Sequence, residues 1–178
     1  MTKNIQLATL GGGCFWCTEA VFQKVKGVEK VMSGYSGGTV PGHPTYREIT
    51  SGLTGHAEVI QITFDANVIS YESILIIFMT THDPTTLNRQ GADRGTQYRS
   101  VIFYHDDKQK KISEVVINEL SDYYENPIVT EVASYNAFYE ATSEHQDFYK
   151  NNQGYSYCSF VIEPKLAKLR KLHADKLK

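Results

Sequence analysis

Residues 5–27, IQLATLGGGCFWCTEAVFQKVKG, carry the reading on which the fold turns. Ile5 to Leu10 reads as a short strand, ended by Gly11-Gly12-Gly13. Beyond the glycines, Val21, Phe22 and Val25 recur at helical spacing. A helix is therefore expected from about Cys14 to Lys26, closed by Gly27. A strand that turns through glycines into a helix puts Cys14 where backbone N–H groups lack partners and the helix dipole is positive. Both features favour a thiolate. An ordinary thiol, with a pKa of about 8.5, is only roughly 3% ionised at pH 7, and lowering that pKa by about 1.5 would ionise around half of it.

Outward from this stretch, Val28 to Tyr35 reads as a strand running into Ser36-Gly37-Gly38. Residues 40–54 read as loop with one helical turn near Tyr46. His56 to Phe64 alternates, with His56, Glu58, Ile60, Ile62 and Phe64 on one face of a strand. Ser70 caps a helix over Tyr71 to Thr81, and Ser100 to Tyr104 reads as a central strand. A long helix is expected over Asp106 to Glu125, with Ile112, Val115, Val116, Leu120 and Tyr123 inward and Asp106 and Asp107 at its positive end. Ile128 to Ala133 suggests another strand and Ser143 to Lys150 another helix. Asn151 to Tyr157 reads as a polar, flexible loop that ends at Cys158. Pro164 opens a last helix with Leu166, Leu169 and Leu172 on one face and its lysines in water. Strands interleaved with helices predict an α/β or α+β sandwich in one domain, residues 1–178.

Composition narrows the function. The chain has 178 residues, 41% hydrophobic and 21% charged, as expected of a soluble globular protein. A net charge of −2 argues against nucleic acid as the main partner. The N-terminus lacks the apolar stretch of a signal peptide, and the run Ile74 to Met79 is too short to cross a membrane. A cytoplasmic protein is expected, whose thiols stay reduced unless catalytic. Three cysteines cannot all pair within one chain, which leaves metal binding, reactivity or plain burial.

Cys17 lies one helical turn from Cys14, and several readings stand side by side. A zinc site would draw on Cys158 and a histidine, yet the second close-spaced pair usual in structural sites is absent. Dithiol exchange fits a Cys-x-x-Cys at a helix start. Inert, buried thiols are the bland alternative. Phe15 and Trp16 are either core or the walls of an apolar pocket beside Cys14. Glu58 is the anomaly of its strand. If buried without a cation, its carboxyl stays protonated near neutrality and acts as a general acid; at the strand end in water it would be unremarkable. The polar run from Asp93 to Ser100 lies just before an apolar strand, either aiming side chains into a site or merely connecting elements.

Six segments in order, GGCFWCTEAVF, GYSGG, HPTYREITSGLTGHAEV, DRGTQYRS, EHQDFY and GYSYC, resemble the methionine sulfoxide reductase A (peptide-methionine (S)-S-oxide reductase) family. The similarity runs from about residue 5 to the C-terminal helix. It implies a ferredoxin-like two-layer α/β core around a mixed sheet, with long coil segments. It also implies that Cys14 is the nucleophile, that Phe15 and Trp16 hold the substrate methyl, and that Glu58 is the proton donor. Tyr46, Asp93 and Tyr98 are implied as the polar partners of the sulfoxide oxygen, and Cys158 as the resolving cysteine. The expected activity is reduction of the S epimer of methionine sulfoxide, protein-bound or free, through a Cys14 sulfenic acid and then an intramolecular disulfide. Thioredoxin or another dithiol is the expected reductant and partner, with no metal, no bound cofactor, no membrane and a monomeric enzyme. The chain departs from the family pattern at Cys17, where many members have glycine, and at Thr50, where some have cysteine. Cys158 is favoured as resolver, because a mobile loop can carry it to Cys14 whereas Cys17 must meet disulfide geometry within its turn.

Overall fold

The computed structural model describes residues 2–40 and 42–178. Strand β1 (Ile5–Gly11) leads into α1 (Phe15–Phe22), then β2 (Val28–Ser36), α2 (Tyr46–Thr50), β3 (Ala57–Asp65) and α3 (Tyr71–Thr81). A small hairpin of β4 (Arg89–Gln90) and β5 (Asp93–Arg94) precedes β6 (Val101–Tyr104), α4 (Asp107–Leu120), β7 (Glu131–Ser134) and β8 (Tyr139–Glu140). Helices α5 (Phe148–Asn151) and α6 (Glu163–His173) follow. The larger sheet has six strands in the order β7-β6-β1-β3-β2-β8. Its pairs are antiparallel except β6 with β7, so the sheet is mixed and the architecture is mixed α/β.

The alternation in β3 sorts the two faces as read. Ile60, Ile62 and Phe64 join Ala8, Leu10 and Ile102 against the helices, through Phe22, Ile74, Phe78, Leu166 and Leu169. On the opposite face Ala57, Val59, Val101 and Phe103 form a smaller cluster, closed by Ala133, Tyr135 and Phe138. Gly11 lies between these side chains. A Cβ there would come within 2.9 Å of Val101 and 3.1 Å of Val59, so the strand end must be bare for the sheet to close.

Local signals placed most helix starts correctly. The Ser70 hydroxyl accepts the Ser73 N–H at 3.0 Å, and the Asp106 carboxylate accepts the Gln109 N–H at 2.8 Å. Several expectations fail for tertiary reasons. Helix α1 stops at Phe22 rather than Lys26, because the chain peels away and the Lys26 N–H donates to the Lys176 carbonyl. Helix α4 ends at Leu120, and Val115 and Tyr123 are 52% and 54% exposed, facing water rather than the core. Gln109 and Ser113 take that inner row instead. Each is satisfied there, Gln109 by donating to the Leu7 carbonyl and Ser113 by donating to the Gln109 carbonyl. Strand β7 begins at Glu131, not Ile128. The helix expected over Ser143 to Lys150 is broken into a 3-10 turn at 143–145 and α5, with Asp147 at φ 52° between them. Leu172 is 40% exposed. Pro41, within the loop expected over 40–54, lies outside the described residues.

Candidate active site

The site begins where β1 gives way to α1. Gly13 has φ +87°, and a Cβ on it would sit 2.8 Å from the Cβ of Gln90. Only glycine turns the chain here at no steric cost. Cys14 follows in an extended conformation as the N-cap of α1, its carbonyl accepting the Cys17 N–H at 3.1 Å. The helix-start reading of an easily ionised thiol fails. Burial pushes the Cys14 thiol well above the ordinary range, and the Glu58 carboxyl and Cys17 add to the rise. The Trp16 N–H and the Tyr157 hydroxyl pull the other way without winning. Loss of water outweighs the dipole of an eight-residue helix.

Glu58 is the second residue of β3, paired across the sheet with Tyr35, and 1% exposed. The strand-end-in-water alternative is thereby removed. Its Oε1 accepts the Phe15 N–H at 3.1 Å, while its Oε2 is buried with no partner. Burial, reinforced by the nearby Asp93 charge, pushes the carboxyl up to about 8 against the pull of the Phe15 N–H and the Cys14 thiol. At neutral pH both Cys14 and Glu58 keep their protons.

Phenols surround this pair. Tyr46, the first residue of α2, and Tyr98, at the end of the 3-10 turn over 96–98, are both half-buried. Burial drives both phenols up, with the charges of Glu58, Cys14 and Asp93 adding to the rise. Asp93 accepts the Tyr157 hydroxyl at 2.8 Å. The structure therefore brings Cys14, Glu58, Tyr46, Asp93 and Tyr98 near enough for their charges to act on one another. Phe15 is fully buried, 6.4 Å from Tyr46 between ring centres. Trp16 is half-buried, stacks on Phe148 at 3.7 Å and donates from Nε1 to His145 Nδ1 at 3.3 Å.

Cys158 opens the helical segment over 158–162 and belongs to the same buried cluster as Cys14 and Cys17. It is buried, its Sγ donates to the Asn152 carbonyl at 3.1 Å, and burial followed by the Glu163 charge pushes its thiol up. All three cysteines are free thiols. The zinc alternative finds no donor set, since no group of three or more His, Cys, Asp or Glu among the described residues is placed to hold a metal ion.

Four neighbours escaped the sequence reading. The Tyr35 hydroxyl is buried without a partner and is pushed up by burial and by Glu58. Its place opposite Glu58 follows from strand register, which pattern alone does not supply. Tyr157 approaches Cys17 Sγ at 3.5 Å; it stands in the GYSYC segment but carried no role there. His145 lies 4.2 Å from the Tyr46 ring. Lys165 is not among the solvated lysines. It is half-buried, donates to Gln90 Oε1 at 3.3 Å, and is lowered by burial against the opposing charges of Cys17, Cys14 and Asp93. A lysine on a helix otherwise lined with exposed lysines left no signal in the sequence.

A sulfur and a carboxyl that both hold protons in a dry, phenol-lined place suit chemistry in which sulfur gives up electrons while an oxygen is captured. Fold and site together define a thiol-dependent oxidoreductase built on a mixed α/β sheet. The family model described as peptide methionine sulfoxide reductase matches residues 6–177. The peptide methionine sulfoxide reductase MsrA of Saccharolobus solfataricus is 55% identical over 174 residues, covering 98% of each chain. That of Deinococcus radiodurans is 53% identical over 173 residues, covering 96% of this chain and 84% of its own. Among solved structures, reduced Mxr1 from Saccharomyces cerevisiae superposes with a TM-score of 0.80 at 32% identity, covering 86% of this chain and 89% of its own. Methionine sulfoxide reductase A of Corynebacterium diphtheriae reaches 0.75 at 31% identity, with 84% and 76% covered. The chain belongs to the peptide methionine sulfoxide reductase family.

Proposed function

We propose that this chain reduces the S epimer of methionine sulfoxide, in proteins and as the free amino acid, and so repairs oxidised proteins. The observation that carries the reading is Glu58: a buried carboxyl, protonated at neutrality, beside the Cys14 thiol and with one oxygen unpartnered. Such an acid serves a substrate whose oxygen gains negative charge as its sulfur is attacked. Cys14 sulfur attacks the sulfoxide sulfur as its S–H proton passes to Glu58, Glu58 gives its own proton to the oxygen, and Tyr46 and Tyr98 hydrogen-bond that oxygen, with Asp93 ordering Tyr157 beside them. Each preorganised donor lowers the barrier by about 3 kcal/mol. Phe15 and Trp16 hold the methyl group. Methionine leaves, Cys14 keeps the oxygen as a sulfenic acid, and the two electrons have passed from thiol to sulfoxide.

A second thiol of the chain, with Cys158 taking part, then forms an intramolecular disulfide with loss of water. A thioredoxin-type dithiol reduces it by exchange. Mxr1, related to this chain, has been solved in complex with Trx2. The enzyme acts as a monomeric cytoplasmic domain over residues 1–178, without bound metal or organic cofactor. Its core is ferredoxin-like. With α2 and the β4–β5 hairpin as insertions, the succession β1-α1-β2-β3-α3-β6 and the antiparallel strand order β6-β1-β3-β2 support that. The test is thioredoxin-coupled turnover of separated sulfoxide epimers. Turnover of the S form alone, lost in Cys14→Ser, is expected; equal turnover of both forms, or an active serine variant, overturns the reading.

A further inference from the structure

Glu19 lies on α1 one turn past Trp16, so the two side chains fall on the same side of the helix. It is 1% exposed, and the sulfoxide chemistry makes no use of it. The two ion pairs among the described residues, Lys3 with Glu29 and Arg99 with Glu131, lie elsewhere. What Glu19 holds is a turn of backbone. Its Oε1 accepts the Phe148 N–H at 3.2 Å, its Oε2 accepts the Ser33 hydroxyl of β2 at 3.3 Å, and the Asp147 N–H is a further donor to it. Every partner donates, which is the surrounding an ionised carboxylate requires. The turn so held meets the residues given to the substrate. Phe148 stacks on Trp16 with ring centres 3.7 Å apart. His145 accepts the Trp16 Nε1–H at 3.3 Å and lies 5.6 Å from the Phe15 ring and 4.2 Å from that of Tyr46. Between them Asp147 takes φ 52°, a left-handed conformation that its surroundings have to impose. Gln146 clamps the same turn to β2, accepting the Ser33 N–H at 2.9 Å and donating to the Ser33 carbonyl at 2.8 Å. Gln23 donates to Asp147 Oδ1 at 2.7 Å on the exposed side. Glu19 is the buried clamp, and it joins the turn to the helix that carries Trp16, where no water competes for its bonds.

Resting on the sulfoxide reductase reading, we propose that Glu19 is a positioning residue for the substrate: its carboxylate fixes the turn over 145–148 so that Trp16, His145 and Tyr46 keep their places around the methyl sulfoxide group. Glu19 touches no reacting atom and acts through Phe148 and Trp16. Burial pushes its carboxyl up to about 7, against the pull of the Asp147 and Phe148 N–H groups and the Ser33 hydroxyl, and the Asp147 charge adds to the rise. Once Glu19 is protonated, Ser33 has to reverse its hydroxyl or Phe148 loses its acceptor. The turn therefore loosens as pH falls below about 7. Glu58, near 8, and Cys14, well above the ordinary thiol range, hold their protons there, so a change in that window is not theirs. His145, lowered by burial, is the titrating group at the Trp16 ring itself.

Two measurements test this. Single-turnover methionine release at increasing sulfoxide concentration separates half-saturation from the limiting rate. In Glu19→Ala the half-saturation concentration should rise at least about tenfold, as expected on losing a hydrogen bond to a charged group, with a smaller fall in the limiting rate. Glu19→Gln, whose carbonyl oxygen can still accept the Phe148 N–H, should restore most of the binding. In wild type the half-saturation concentration should rise as pH falls through about 7, and in Glu19→Gln that rise should be absent. Trp16 is the only tryptophan of the chain, so its emission reads the stack directly. A transition centred near pH 7 is expected in wild type, kept in Glu58→Gln and lost in Glu19→Gln. Half-saturation within about twofold of wild type in Glu19→Ala, no emission transition in wild type, or a transition that survives Glu19→Gln overturns the proposal. If Glu19→Ala does not fold, the glutamine variant and the emission decide. If wild type forms no methionine, the sulfoxide reading fails instead, and the emission transition still tests the hold of Glu19 on the turn.

Discussion

Glu58→Gln separates the acid from the shape. The amide is nearly the same size, and its carbonyl oxygen can still accept the Phe15 N–H that Glu58 accepts at 3.1 Å. What disappears is a proton that the burial of Glu58 keeps in place up to about pH 8. At pH 7 about nine-tenths of the wild-type carboxyl is protonated, by the ratio such a pKa sets. Losing a positioned general acid slows a step by roughly 10²- to 10⁴-fold. Methionine release in a single turnover should fall by that factor while the fold persists. Stability gives an independent readout. The unfolded carboxyl titrates near 4.5 and the folded one near 8, so between these values the folded protein binds the extra proton. Wild-type stability contributed by this group is thus complete below 4.5 and is lost as pH rises through about 8, with a slope up to about 1.4 kcal/mol per pH unit. The glutamine variant lacks that slope. Urea unfolding from pH 4.5 to 8.5 should show the two proteins diverging in favour of the variant. Parallel stability curves, together with a rate within a few-fold of wild type, would refute both the burial and the acid role.

Because the Glu58 charge helps hold the Cys14 thiol up, Glu58→Gln should also hasten iodoacetamide alkylation of Cys14 above pH 8, where wild-type Glu58 is ionised; no change would show that the two groups are uncoupled. Tyr35→Phe removes a buried hydroxyl that has no partner, so thermal unfolding should show a gain of about 1 kcal/mol, and a loss would mean that the hydroxyl is satisfied. Gly13→Ala forces a side chain onto a left-handed backbone against Gln90, which should cost about 1–3 kcal/mol and lower activity with it; denaturant midpoints at unchanged slope would measure the cost. His82 is buried with Nδ1 on the Phe78 carbonyl and Nε2 on Ser100, and burial lowers it to about 3. It contributes stability present above 6.5 and lost as pH falls toward about 3, and its ring nitrogens should read as neutral by NMR at pH 5; a midpoint near 6 would contradict the packing.

The chain's strand–glycine–helix entry, the caps at Ser70 and Asp106 and the parity that put Glu58 on the apolar face of β3 were legible along the sequence. Each depends on backbone periodicity or on a bond spanning three or four residues, and such local chemistry is written in neighbouring letters. The family motifs likewise marked Cys14, Glu58, Tyr46, Asp93 and Tyr98, which the fold gathers from three separate motif segments. The tertiary structure alone decided what those groups are chemically. Cys14 sits at a helix start that should ease its ionisation, yet it keeps its proton because packing strips its water and sets Glu58 beside it. Tyr157 and Lys165 reach the thiols from well over a hundred residues away, and Val115 lost its expected place to Gln109 and Ser113, whose polar atoms found partners inside. A proton's affinity and a side chain's neighbours depend on which distant segments close over them and how much water they exclude, and no stretch of sequence states that by itself.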